Sequence, residues 1–215
     1  MAIMIPEKPR NFDPASQEGL IFDALASLSE DYYVFHSFRI TDTREGIFHE
    51  SETDFVILNR TKGVICLEAK AGQVRYENGC WLYGSGIPMH NGGPFNQASA
   101  NKYKLMRYIS DSNMAFVLEK CKFFHAVWFP SVSNDRLRSM TLPSEGDKTL
   151  VLTKEALSDP EEFIDRVYAL ELPSRVQTNL SEFECKRLVR GICTLCTLVI
   201  NTINCYKIRI CLQNM

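Results

Sequence analysis

Apolar and polar positions change their spacing several times along this chain, and each change marks an element. Ile21, Phe22, Leu25 and Leu28 recur at the interval of one helix face. Asp13 and Pro14 precede them as an N-cap and a first-turn proline, so the first helix is predicted to open there. Tyr32 to Ile40 is aromatic and β-branched and reads as a strand, whereas residues 41–51 are polar and read as a loop. Phe55 to Leu58 and Val64 to Leu67 are short, unbroken apolar runs joined by the turn Asn59 to Gly63. Such runs suit strands buried on both faces. Gln73 to Tyr76 and Cys80 to Tyr83 flank Asn78-Gly79, a pair that favours a tight hairpin turn.

A loop rich in glycine and proline, Gly84 to Pro94, then leads into a long helix predicted from Asn96 to about Leu118. Lys122 to Phe129 reads as a buried strand stopped by Pro130, and Thr149 to Leu152 as a short one. Helical spacing returns over Pro160 to Leu170 and from Ser181 to about Ile200. The order of helix, strands, helix and strand predicts an α/β fold: a mixed sheet flanked by helices.

Composition narrows the class without changing this picture. The 215 residues are 45% hydrophobic and 23% charged, which suits a folded domain with a generous core and excludes a disordered chain. We expect a flexible N-terminal segment over residues 1–12, a core over 13–155, and a helical C-terminal extension over 156–215 packed on that core. The extension serves packing or a homodimer contact; its sequence leaves both open. Net charge is −2, so any grip on nucleic acid must come from a local basic patch.

Met1 to Pro14 is polar and lacks the apolar region of a secretory signal, and Ile192 to Ile200, interrupted by Thr194 and Thr197, is too short to span a bilayer. No membrane partner is expected. Eight cysteines, several within apolar runs, read as reduced thiols in a cytoplasmic protein.

The chemistry lies where the two apolar strands end. Pairing them through the turn sets Leu58 opposite Val64, Val56 opposite Cys66 and Asp54 opposite Glu68. Opposed residues have Cβ atoms roughly 4.5–5.5 Å apart. Two carboxylates at that range repel unless a cation or a proton intervenes. Lys70 projects from the same strand face as Glu68. Asp54 and Glu68, with a backbone carbonyl such as that of Ala69, offer the oxygen ligands that Mg²⁺ or Mn²⁺ prefers. Lys70 can orient a water and neutralise charge on a phosphoryl transition state. The same D-x(13)-E-x-K spacing also arises from ordinary charges at strand ends, and a slipped register would undo the pairing. Glu52 falls opposite Lys70 in this register and is placed to salt-bridge it.

The run Glu52 to Gly72, ETDFVILNRTKGVICLEAKAG, together with Gly79-Cys80-Trp81 and Pro94-Phe95-Asn96-Gln97-Ala98, resembles the nuclease-related domain, or NERD, family over roughly residues 15–130. The resemblance implies a restriction-endonuclease-like fold of the PD-(D/E)xK class. It implies catalytic positions at Glu18, Asp54, Glu68, Lys70 and Gln97, with Glu18 joining Asp54, Glu68 and the Ala69 carbonyl around a metal ion. The implied activity is Mg²⁺- or Mn²⁺-dependent hydrolysis of DNA, with RNA as another substrate, in repair or antiphage defence. Relatives often carry a helicase or kinase-like domain, so a helicase or other partner domain is expected. The competing reading is a catalytically silent nucleic-acid-binding or assembly module that keeps the fold.

The outer residues also have ordinary explanations. Glu18 shares a helix face with Phe22 and Leu25, where a metal shell would partner it or the helix dipole would favour it. Gln97 can bind phosphate or water, or cap its own helix. Lys102, Lys104 and Arg107 either contact nucleic-acid phosphates or form a solvated face. Cys193-Thr194-Leu195-Cys196 invites a zinc reading, but it lies in an apolar helical run without a second such pair, so buried thiols are expected. His36, His49, His90 and His125 lack ligand spacing, and neither Gly84-Ser85-Gly86 nor Gly146-Asp147-Lys148-Thr149 completes a nucleotide-binding motif.

Overall fold

The computed structural model describes residues 1–8, 12–44, 47–174 and 176–198, with side chains except those of 38–51 and 194–198. Two elements open the chain: strand β1 (Ile3–Ile5) and helix α1 (Glu18–Ala26). Strands β2 (Tyr32–Arg44), β3 (Ile47–Asn59) and β4 (Gly63–Ala69) follow, then the hairpin β5 (Val74–Glu77) and β6 (Cys80–Tyr83). Helices α2 (Pro94–Ser110) and α3 (Val117–Lys120) lead to β7 (Phe123–Trp128). Helix α4 (Asn134–Ser139), β8 (Val151–Leu152), α5 (Pro160–Tyr168) and α6 (Glu182–Leu198) complete the described order.

Six strands form a mixed sheet in the order β1-β2-β3-β4-β7-β8, and β5 pairs with β6 separately. β3 runs antiparallel to β2 and β4, while β1 with β2, β4 with β7, and β7 with β8 are parallel pairs. Alternation along the strands supplies two cores. Phe55, Ile57, Ile65 and Leu67 face α1 and α5 through Phe22, Leu25, Phe163 and Ile164. Val56, Leu58, Val64 and Cys66 face α2 and α6 through Leu105, Ile109, Leu188 and Ile192. Each fully buried aliphatic or aromatic side chain contributes on the order of 1.5–3 kcal/mol. With both faces covered, the central strands carry the unbroken apolar runs seen in the sequence.

Several expectations are corrected. Residues 41–44 and 47–51, within a stretch expected as loop, run as strand: β2 and β3 stay paired from Tyr32↔Asn59 out to Arg44↔Ile47. Cross-strand hydrogen bonds satisfy this polar stretch, and its β-branched threonines suit a strand. The long helix ends at Ser110 rather than near Leu118. Ser112 breaks it, donating its hydroxyl to the Ile109 carbonyl and accepting from Met114 N–H, which diverts the backbone from helical bonding. Ile3–Ile5 lies in the sheet beside Tyr33–Phe35, within the segment expected to be flexible. Cys205, Cys211 and the helix end near Ile200 lie outside the described residues, as do the side chains of His49 and Cys196.

Helices α5 and α6 are tied into the two cores. Tyr168 bonds through its hydroxyl to the carbonyls of Ile57 and Gly63. Thr178 Oγ1 accepts from Lys122 N–H and donates to the Lys62 carbonyl. The N–H groups of Asn179 and Leu180 donate to the carbonyls of Lys120 and Arg60. Among the described residues, no helix is long and apolar enough to cross a membrane.

Candidate active site

The expected register is present: Leu58 pairs with Val64, Val56 with Cys66, and the ladder runs to Phe55↔Leu67. Asp54 and Glu68 stand one step further, where β3 leaves β4. There Asp54 Oδ2 accepts from the Ala69 N–H at 2.7 Å, so the carboxylate closes the strand end. β4 is held on its other side by β7, and Lys70 N–H donates to the Trp128 carbonyl at 2.9 Å. The backbone carrying Glu68 and Lys70 is therefore fixed from both sides.

Glu68 is 5% exposed. Its Oε1 accepts from Lys70 Nζ at 2.6 Å, and its Oε2 is buried without a hydrogen-bond partner. Burial, then the neighbouring Asp54, push its carboxyl up to about 7, against the pull of Lys70. Burial likewise raises Asp54, although the Ala69 N–H and Lys70 oppose it. Lys70 moves the other way from an ordinary buried amine. Burial lowers it, but Glu68 and Asp54 outweigh that and hold its ammonium charged. The ion pair expected between Glu52 and Lys70 is thus made by Glu68 instead. Glu52 is exposed, and its charge adds to the pressure on Asp54.

Glu18 is half-buried in the first turn of α1, where the helix dipole favours an acid. Burial and then Asp54 raise its carboxyl, so its charge is felt at the site. Among the described residues, no group of three or more His, Cys, Asp or Glu is set to hold a metal ion. Two carboxylates still fit a hard divalent ion, because Mg²⁺ is commonly held by one or two of them with substrate phosphate and water. The unpartnered Glu68 Oε2 is the oxygen that such an ion would satisfy.

Gln97 is positioned by an aromatic cluster. Trp81 packs on Tyr76, Phe95 and Phe129 with ring centroids 5.5–5.8 Å apart. Gly93, at φ +89°, lies flat on Trp81, where an added Cβ would be 2.1 Å from Cδ1. Helix α2 starts there, and Gln97 Nε2 donates to the His90 carbonyl at 2.8 Å. The Gln97 amide thus serves the loop before its own helix.

Asn101 was not singled out in the sequence, yet it is buried and donates to the Glu52 carbonyl at 2.9 Å. A polar residue on the apolar stripe Phe95, Ala98, Leu105 and Ile109 was the available signal. Lys102 reaches to within 3.4 Å of His125 Nδ1. Burial and this ammonium lower the His125 imidazole to about 4. Lys104 is half-exposed and Arg107 exposed.

A six-stranded mixed sheet flanked by helices, with an acid pair and a lysine at the end of its central hairpin, defines a nuclease-like α/β domain. Residues 14–130 match the nuclease-related domain (NERD) family, more than half of the chain, and the chain belongs to that family. Comparison with curated proteins and with solved structures gives no match.

Proposed function

We propose that this chain is a divalent-metal-dependent nuclease that hydrolyses phosphodiester bonds of DNA, serving repair or antiphage defence. One observation carries the reading: a buried carboxylate oxygen without a partner, on Glu68, beside a second, half-buried acid and a charged lysine. Structural ion pairs satisfy their atoms; leaving one bare costs on the order of 1–3 kcal/mol, a penalty that binding removes. Asp54 and Glu68 would hold Mg²⁺ or Mn²⁺, which when bound polarises the phosphate and acidifies a water.

The protein's own share is positioning. Asp54, fixed by the Ala69 N–H, cannot swing away from the strand end. Lys70 presents a compact ammonium able to orient a water and to neutralise charge on phosphate oxygens. The second reading, a catalytically silent nucleic-acid-binding module, draws on the Lys70–Glu68 pair, which partly neutralises the site without any ligand.

Cleavage of plasmid, linear and single-stranded DNA in Mg²⁺, Mn²⁺ or EDTA decides between them. Wild type should cut only with metal, and Asp54→Ala and Glu68→Ala should not cut while keeping the fold. Full activity in either folded variant would remove the site assignment.

A further inference from the structure

We infer that the outer face of α2 is a platform for single-stranded nucleic acid, with Tyr103 stacking on a base while Lys102, Lys104 and Arg107 hold phosphates; this rests on the nuclease reading of the neighbouring site.

The charge distribution points there first. The chain as a whole is acidic by two charges, yet α2, PFNQASANKYKLMRYIS, carries two lysines and an arginine and no acid. None of the three forms a salt bridge among the described residues. Lys102 has only a neutral imidazole and an aromatic ring beside it. Three uncompensated cations along one helix are the electrostatic footprint of a phosphate track.

Tyr103 supplies what a simple basic face lacks. It is 59% exposed, one of few large apolar side chains left open among the described residues. The Lys102 ammonium lies 4.4 Å from its ring centroid, a cation–π contact that steadies the ring. A steadied, open aromatic ring flanked by cations matches the way proteins bind unpaired bases, by stacking without sequence readout. A duplex hides its base faces and has no use for such a ring.

The helix is also tied to the candidate site. Asn101 bonds to the Glu52 carbonyl, two residues from Asp54, and Tyr103 follows two positions later. This bond fixes α2, and with it the cations and the ring, against the strand that carries Asp54.

The test measures binding in EDTA, where cleavage cannot intervene. A fluorescein-labelled oligothymidylate, and the same strand annealed to oligoadenylate, are titrated with wild type, Tyr103→Leu, Tyr103→Trp and the double variant Lys104→Gln/Arg107→Gln. Tyr103→Leu should weaken single-strand binding about tenfold and Tyr103→Trp should retain it. The duplex should respond less than about twofold to either. The double variant should weaken both and flatten the salt dependence. The ring is exposed, so melting temperatures should match and folding is not in question.

Equal binding by Tyr103→Leu and wild type, an equal loss on duplex, or no binding of either probe by wild type would overturn the inference. If the single strand binds through Tyr103 but no DNA is ever cut with metal, the platform stands and the nuclease reading fails.

Discussion

Replacing Glu68 by glutamine should make the metal-free protein more stable as pH rises. The ordinary glutamate value is 4.5, and burial beside Asp54 carries Glu68 to about 7. A group raised in the folded state contributes stability that is complete below its unfolded value. That contribution is lost as pH climbs through the folded value. Between pH 4.5 and about 7, the native state must therefore either hold a proton that the unfolded chain would release or bury a charge. At 1.36 kcal/mol per unit, the loss reaches about 3 kcal/mol. Glu68 is only 5% exposed, so water does little to screen it.

Glutamine is neutral at every pH and close in shape, so Glu68→Gln removes the pH-dependent term. The ion pair with Lys70 forms only when Glu68 is charged, and its pull is already contained in the folded value of about 7. Urea unfolding in EDTA, followed by the fluorescence of the buried Trp81 and Trp128, measures the difference between variant and wild type. That difference should move in favour of the variant by about 3 kcal/mol across the range. In melting temperature this is roughly 6–12 °C for a chain of this size. A flat difference would show that Glu68 titrates normally in the folded protein, and the account of a strained acid pair would be wrong.

Three further outcomes follow from the same geometry. Mg²⁺ or Mn²⁺ should raise the melting temperature of wild type, Asp54→Asn should lose most of that gain, and Lys70→Ala should keep it while failing to cleave; loss of metal stabilisation in a folded Lys70→Ala would make Lys70 a structural residue. Burial pushes the Cys66 and Cys121 thiols up to about 12, so mass spectrometry after brief maleimide treatment should find them unlabelled and the exposed Cys80 labelled. Gly93→Ala should cost on the order of 2 kcal/mol or more in thermal unfolding, since its Cβ would strike Trp81 at 2.1 Å and its φ of +89° disfavours any side chain.

The central hairpin was legible because two apolar runs and one fixed turn admit a single register that buries both. Asn78-Gly79 was equally explicit, and both residues take positive φ in the β5–β6 turn. The outer half of the β2–β3 ribbon was not legible, because polarity reads as loop whenever the hydrogen bonds come from a neighbouring strand. At the site, the sequence brought Asp54, Glu68 and Lys70 to one strand end but gave Lys70 to Glu52. The choice between Glu52 and Glu68 depends on burial: a charge withdrawn from water attracts the nearest cation far more strongly than an exposed one does. Asn101 shows the same limit. Its helical position was visible, but its partner is a backbone carbonyl on another element, which side-chain patterns do not encode.

The bonds from Tyr168, Thr178, Asn179 and Leu180 back to Ile57, Arg60, Lys62, Gly63, Lys120 and Lys122 have a practical meaning. The stretch that matches the family ends at residue 130, but the packing and hydrogen bonds around its sheet do not. A fragment cut there would strip β8 from β7 and uncover Phe124, Val127 and Trp128. It would also leave the turn that sets the acid pair's register without its clasp. The border of the family match and the border of the packed body thus differ in this chain.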